Sequence, residues 1–343
     1  MLRDADVLAT VGRLVLGVLV LREVVLFWHL LPGSMFDYDI FRKAGSAVVN
    51  GQSPWHVDGF IYPATAAVAF VPFGAIPFTV GGFAFATLII GALIAALWML
   101  GVRDWKCYAI VFLTTPGEMS VITGTLSGVC ALLAAVIYRY RDGRARPAAA
   151  LAVALATKLF LWPLGVWLIA TRRGRTAAIA VVAMLAFLAL TWVVMGTSSF
   201  ASYRDSLTPA RHLAEASYSP FALARALGAS PALATVFVGV IGLGVLAASR
   251  LIADERITFT LAVLAALVLS PVVWIHYLVL LYVPIAIARP RLSPLWFAPA
   301  LYAPIGLKAH ADGSLIRLGL VLAVTFLISR LIVRAGERTP LAS

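Results

Sequence analysis

Two carboxylates, Asp37 and Asp39, follow within eight residues of the first long apolar run, in the stretch FDYDIFRKAGSAVVNGQSPWHVDGFIYP (36–63). Acids beside a membrane face are costly and mark function by default. With aromatic neighbours and the basic pair Arg42 and Lys43 they outline a polar site at a bilayer surface; a solvated loop would use the same residue types. Lys158 is the second group of interest, because it stands inside the apolar stretch 147–171. A lone lysine there must face a cavity, an acid or an anionic ligand, or else snorkel to one face.

The elements that position these groups are membrane helices. Hydrophobic residues make up 62% of the 343, charged residues only 12%, and mean hydropathy is +0.98. Apolar runs of about 18–25 residues recur, the length that spans a hydrocarbon core. The chain therefore reads as an all-α polytopic membrane protein of the cell membrane. Its formal charge of +12 needs no nucleic acid, since cytoplasmic loops collect Lys and Arg. Cys107 and Cys130 have no CxxC spacing, which indicates neither a disulfide framework nor a thiolate metal site. No small-residue cleavage site follows the first apolar run, so it reads as an uncleaved span.

Arginine clusters at 139–146, 172–175, 250–256, 289–291 and 330–338 set the orientation if all face the cytoplasm. Each interval then holds an even number of crossings. The expected spans are 7–31, 61–77, 79–100, 117–138, 176–197, 232–249, 257–270, 272–288, 293–306 and 313–330, about ten in one domain covering 1–343. The first extracytoplasmic loop is 33–60 and the longest external loop 198–231. Residues 147–171 hold one span's worth of apolar sequence between two basic flanks. A re-entrant hairpin broken near Thr157-Lys158, with Pro163 just beyond, resolves that conflict; a plain span with Lys158 snorkelling is the alternative. In the 198–231 loop, Arg204, Arg211, His212 and Arg225 lie outside against the bias. An anion such as a phosphate would account for them, and so would a solvated amphipathic helix. His29 and His310 beside Asp312 read as interfacial, and of Arg22 and Glu23 at least one must seek another helix or the cavity.

Five short motifs in order, FDYDIFRKAGSAVVNGQSPW (36–55), IYPATAAVAFVPFGAIP (61–77), ALATKLFLWPL (154–164), SYSPFALARALG (217–228) and LSPVVWIHYLVLL (269–281), resemble glycosyltransferase family 87. The resemblance runs from about residue 36 to 288. It implies a GT-C-type helical bundle and a polyprenyl-phosphate-mannose-dependent α-mannosyltransferase. Asp37 matches the family's presumed catalytic base, with Asp39 next to it as runner-up. Ile40 matches a valine, and Phe41 replaces a tyrosine. Tyr62-Pro63 matches a Tyr-Pro-Pro motif with Ala64 as its third residue, Thr125 stands where the family usually carries Gln, and Lys158 matches the lysine of a broken helix. Ser270, Pro271, Trp274 and His276 match a Ser-Pro-x-x-Trp-x-His motif.

The resemblance also implies the chemistry. A lipid-phosphate leaving group needs little acid assistance, so inversion by direct displacement asks for one general base and for cations near the departing phosphate. Lys158, Arg211 and Arg225 are the candidate cations. His276 would donate to the phosphate or orient the acceptor, with Tyr62 and Trp274 beside the substrate and Trp55 a secondary sugar-stacking candidate. The partners would be a polyprenyl-phosphate-linked sugar donor, a glycolipid or envelope-glycan acceptor and membrane lipids, with the site on the extracytoplasmic side and no cofactor. Asp37-Tyr38-Asp39 has the Asp-x-Asp spacing of nucleotide-sugar enzymes, but an extracytoplasmic position argues against nucleotide use and no metal is required. Two other classes remain: a lipid-linked sugar flippase or transporter, and an inactive structural subunit of an envelope-glycan assembly.

Overall fold

The structure, a computed structural model, describes residues 34–196, 199–305, 311 and 313–337, together with Val18, Leu21 and Val25. Every regular element among the described residues is helical. The expected span 7–31, with Arg22, Glu23 and His29, lies outside the described residues except for the three exposed apolar positions just named. His310, Asp312 and Arg338 lie outside them as well.

In chain order the α-helices are α1 (Phe36–Val49), α2 (Ala64–Ala69), α3 (Val71–Gly74), α4 (Phe78–Met99), α5 (Trp105–Leu113), α6 (Thr115–Ile122), α7 (Ser127–Arg139), α8 (Ala145–Thr157) and α9 (Trp162–Ala170). They continue as α10 (Gly174–Met195), α11 (Ser199–Glu215), α12 (Pro220–Ala226), α13 (Pro231–Ser249), α14 (Glu255–Leu269), α15 (Tyr282–Ala288) and α16 (Leu315–Glu337). Three 3₁₀ stretches bear on the site and on the span count: Leu159–Leu161, Ile275–Leu281 and Pro294–Ile305.

Among the described residues four helices, α4, α10, α13 and α16, are long and apolar enough to cross a membrane, and α6 with α7, bent by 116°, makes a fifth if the pair counts as one span. Of the ten expected spans, 7–31 lies almost entirely outside the described residues, and, apart from that bent pair, three others are not continuous α-helices. Segment 61–77 is no continuous span but the short α2 and α3, because Pro63, Pro72 and Pro77 each remove an N–H and restrict the residue before them. Segment 293–306 is 3₁₀ around Pro299 and Pro304, and 272–288 divides into a 3₁₀ stretch and α15. None of these three segments is a single α-helix long enough to cross by itself.

The stretch 145–170 behaves as its flanks require. The last backbone bond of α8 is Lys158 N–H to Ala154 O at 2.8 Å. Lys158 itself is extended, with φ −152° and ψ 92°. After one 3₁₀ turn α9 starts with Pro163 in its first turn, where a missing N–H costs nothing. The buried Thr65 hydroxyl of α2 donates to Ala156 O, satisfying one of the carbonyls a helix end leaves open. At the other end Asp142, before α8, pairs with Arg173, after α9, at 2.6 Å. The segment thus leaves and returns at one end of the molecule, with Lys158 at its tip.

A second break builds the entry to α1. Between α6 and α7 the chain turns at Thr123-Gly124-Thr125. Thr123 O accepts from Asp37 N–H at 2.9 Å and from Tyr38 N–H at 3.4 Å. These are the first donors of α1, which have no partner within their own helix. Gly124 has φ +66°, and a Cβ there would run into the Tyr38 and Met35 side chains. Only glycine accommodates both the left-handed backbone and the close approach. The bend and α1 are one joint.

Candidate active site

A cavity of about 590 Å³ opens where these two breaks meet. Asp37, Tyr62, Lys158, Trp274 and His276 all line it, together with Tyr277. These residues come from α1, the α1–α2 connection, the hairpin tip and the 270–281 stretch, and lie up to about 240 positions apart in sequence. The 270–274 stretch is extended and needs partners for its carbonyls. Tyr218 N–H supplies one to Val273 O at 2.7 Å, and the Ser219 hydroxyl one to Pro271 O at 2.9 Å. The SYSP and SPVVW motifs therefore hold each other, and His276 is delivered to the cavity from that anchored strand-like run.

Asp37 lies in the first turn of α1, outside the spans. Its Oδ2 is 3.7 Å from His276 Nε2, and its carboxyl group is hydrogen-bonded by the Thr125 side chain. Burial pushes the Asp37 pKa up to about 6, against the opposing pull of the Lys158 charge and the Thr125 hydrogen bond. A carboxylate poised just below neutrality is ionised at pH 7 yet basic enough to take a proton.

Lys158 is 5% exposed and stands in an aromatic cage. Its Nζ is 3.6 Å from the Tyr277 ring centre, 5.6 Å from Phe160 and 5.8 Å from Tyr62. Ring faces attract a cation, but they do not satisfy its three donors. Among the described residues, Lys158 Nζ and His276 Nε2 are buried polar atoms with no hydrogen-bond partner. A buried ammonium without an acceptor is costly, and the cavity beside it leaves room for one. Tyr62 hydrogen-bonds Tyr277 and packs on Phe41 at 4.7 Å.

The remaining residues singled out from the sequence lie elsewhere. Asp39 is paired with Lys43 at 2.5 Å and Arg42 at 3.4 Å and does not line the cavity. Two residues along a helix is 200° of rotation, so it points away from Asp37. Arg225 pairs with Glu215 at 2.7 Å and donates to Ala229 O, closing α12 rather than reaching the cavity. Arg211 is in α11, whose Tyr203 and Leu213 line the cavity mouth; its side chain is outside the described residues. Trp55 is 6% exposed and stacks on Trp192 at 5.0 Å, a packing position. Among the described residues no three His, Cys, Asp or Glu side chains group as metal ligands would.

Two residues escaped sequence reasoning in this role: Tyr277, which lines the cavity, and Thr125, buried behind Asp37. Thr125 is noticeable there only as a replacement of Gln, yet its side chain reaches Asp37. Tyr277 follows His276 directly in a run of apolar residues, and nothing in its spacing announces a cation contact.

The model of glycosyltransferase family 87 matches residues 60–274, more than half of the chain. Comparison with curated proteins and with solved structures returns no match. The matched region holds Tyr62, Thr125, Lys158 and Trp274; Asp37 precedes it and His276 lies just past its end. The chain belongs to glycosyltransferase family 87.

Proposed function

We propose that this membrane glycosyltransferase moves a sugar, mannose by the motif resemblance, from a polyprenyl-phosphate donor to a glycolipid or envelope-glycan acceptor, with inversion at the anomeric carbon. The observation that carries the reading is the pairing of a single near-neutral carboxylate with a buried, acceptor-less ammonium in one cavity.

Asp37 takes the proton from the acceptor hydroxyl as its oxygen attacks the anomeric carbon. The bond from that carbon to the phosphate oxygen breaks on the opposite face, and the phosphate leaves with the electron pair. Negative charge grows on the phosphate in the transition state, where a preorganised cation is most effective. Lys158 supplies that cation and gains the acceptor it lacks. His276, beside Asp37, holds the carboxylate or the acceptor in register. The apolar cavity lining from Phe36, Ile40, Met119 and Ile122 suits a lipid-borne donor. Positive-inside bias favours a cytoplasmic position for the arginine-rich ends of α7, α9 and α13, and with it an extracytoplasmic position for the cavity.

The test is transfer by membranes carrying the protein, with radiolabelled polyprenyl-phosphate-mannose or polyprenyl-phosphate-arabinose and a panel of envelope lipids as acceptors. Labelled product from the mannose donor, lost by about 10²–10⁴ in Asp37→Asn, is expected. Near-wild-type turnover of Asp37→Asn, with Asp39→Asn inactive, would move the base to Asp39. Transfer from the arabinose donor alone would replace the sugar.

A further inference from the structure

A second cavity, of about 240 Å³, lies at the arginine-rich end of the molecule, between the C-terminal ends of α9 and α13 and the start of α14. Arg172 and Arg250 line it, along with Thr171, Ser249, Glu255 and Thr258. Glu255 is no free acid: Arg173 holds one carboxylate oxygen at 2.8 Å and Arg141 the other at 2.6 Å. Among the described residues, neither Arg172 nor Arg250 has an acidic partner. The cavity therefore presents two uncompensated guanidinium groups, while its Thr171, Ser249 and Thr258 hydroxyls already donate to backbone carbonyls. Guanidinium pairs of this kind match phosphate oxygens.

The backbone adds an independent observation. Arg172 N–H bonds Ile169 O at 3.1 Å and Arg173 N–H bonds Leu168 O at 2.7 Å, the paired bonds of a Schellman helix ending. Arg172 occupies the left-handed position of that ending, at φ +63°, where glycine is favoured, and among the described residues it is the one non-glycine at positive φ. The chain keeps a strained arginine where an unstrained glycine would end the helix better. Its side chain is the feature that glycine would forfeit. Beside the cavity, Leu251 is 89% exposed and Ile169 55% exposed, so the basic pocket has apolar side chains reaching outward at its rim.

We infer that this cavity binds the phosphodiester headgroup of an anionic phospholipid, with Arg172 and Arg250 on the phosphate and Leu251 and Ile169 against the acyl chains. It is separated from the Asp37 cavity by the length of α8, about 20 Å, and stands whether or not the transferase reading does.

The experiment is thermal unfolding of the purified protein in nanodiscs of phosphatidylcholine alone or with increasing phosphatidylglycerol. Phosphatidylglycerol should raise the Tm of the wild type. Apparent lipid affinity should weaken about fivefold for each arginine removed in Arg172→Gly and Arg250→Gln. In phosphatidylcholine alone Arg172→Gly should instead unfold about 2 °C higher than wild type, because the left-handed strain is gone. That combination, more stable but less responsive to the lipid, is not what simple damage to the fold would give. An unchanged phosphatidylglycerol response in the double variant would overturn the site. An equal loss in Arg144→Ala/Arg146→Ala, on exposed positions outside the cavity, would reduce it to a diffuse surface field. Inorganic phosphate reproducing the whole shift in phosphatidylcholine discs would show a soluble anion as the ligand and overturn the lipid assignment.

Discussion

The two ends of the α8–α9 hairpin handle charge in opposite ways. At the arginine-rich end, Asp142, Arg173, Glu255 and Arg141 form a closed chain of ion pairs at 2.6–2.8 Å, joining α7, the hairpin flanks and α14. Burial alone would raise the Glu255 pKa, but the hydrogen bonds from Arg173 and Arg141 win and hold it below the usual range. At the tip, Lys158 is more deeply buried and, among the described residues, has ring faces but no acceptor. A satisfied network stabilises and fixes the hairpin's return. An unsatisfied group costs stability and persists where something outside the fold completes it. On the proposed function the contrast sets a structural end against a chemical one, and each can be tested by removing a charge.

The largest effect is expected at the tip. Lys158→Met keeps the length of the side chain and removes the charge. Transfer should fall about 10²–10³-fold, mostly in kcat, since the phosphate charge it meets grows in the transition state. The fold should hold or gain stability, as a buried unpaired cation is gone. A rise in KM with kcat unchanged would mean that Lys158 merely binds the donor and plays no part in the displacement.

Much of this contrast is legible in the sequence, and the illegible part has physical causes. Two basic flanks around a single span's worth of apolar residues suggest a chain reversal beside the alternative of a plain span, and Thr157-Lys158 with Pro163 locates it. Asp37 is legible as an acid just past an apolar run. Its separation from Asp39 is not, because the 200° between them appears only once 36–49 is known to be helical. The breaks within three of the expected spans are hidden for a related reason. Hydropathy sums over Pro63, Pro72, Pro77, Pro299 and Pro304 as though they were neutral, whereas each interrupts the hydrogen bonding a full crossing needs. Tyr277 reaches the cavity, and Thr125 reaches Asp37 behind it, through tertiary packing of the 3₁₀ stretch and the 116° bend, which no local pattern encodes.

The opposite end should respond in stability and hardly in chemistry. Glu255→Gln leaves Arg141 and Arg173 without their shared carboxylate and should cost about 1–2 kcal/mol at neutral pH, measured as a lower Tm in nanodiscs. Transfer per folded molecule should stay near wild type. The sign with pH is fixed by the depressed pKa of Glu255. Its contribution is present above the unfolded value of 4.5 and lost as pH falls through the lower folded value. Wild type and variant should therefore converge in acid. A large loss of transfer with an unchanged Tm would put the arginine-rich end into the chemistry and break the division.

The smallest effect probes the boundary between the two kinds of charge, since Thr125 is a satisfied, fully buried group that acts on the working carboxylate. Its hydrogen bond favours the ionised form of Asp37 and so lowers the pKa that burial raises. Transfer requires Asp37 deprotonated, so the acid limb of the pH–rate profile should fall near pH 6 and activity should rise through it. Thr125→Val removes the hydroxyl while keeping the shape. The limb should then move to higher pH, with the rate at pH 6 reduced severalfold and the rate at pH 8 nearly kept. Thr125→Ser should restore the wild-type limb, which a defect in packing alone would not allow. A uniform fall at every pH, not rescued by serine, would make Thr125 part of the 123–127 joint only and leave Asp37 tuned by burial and Lys158.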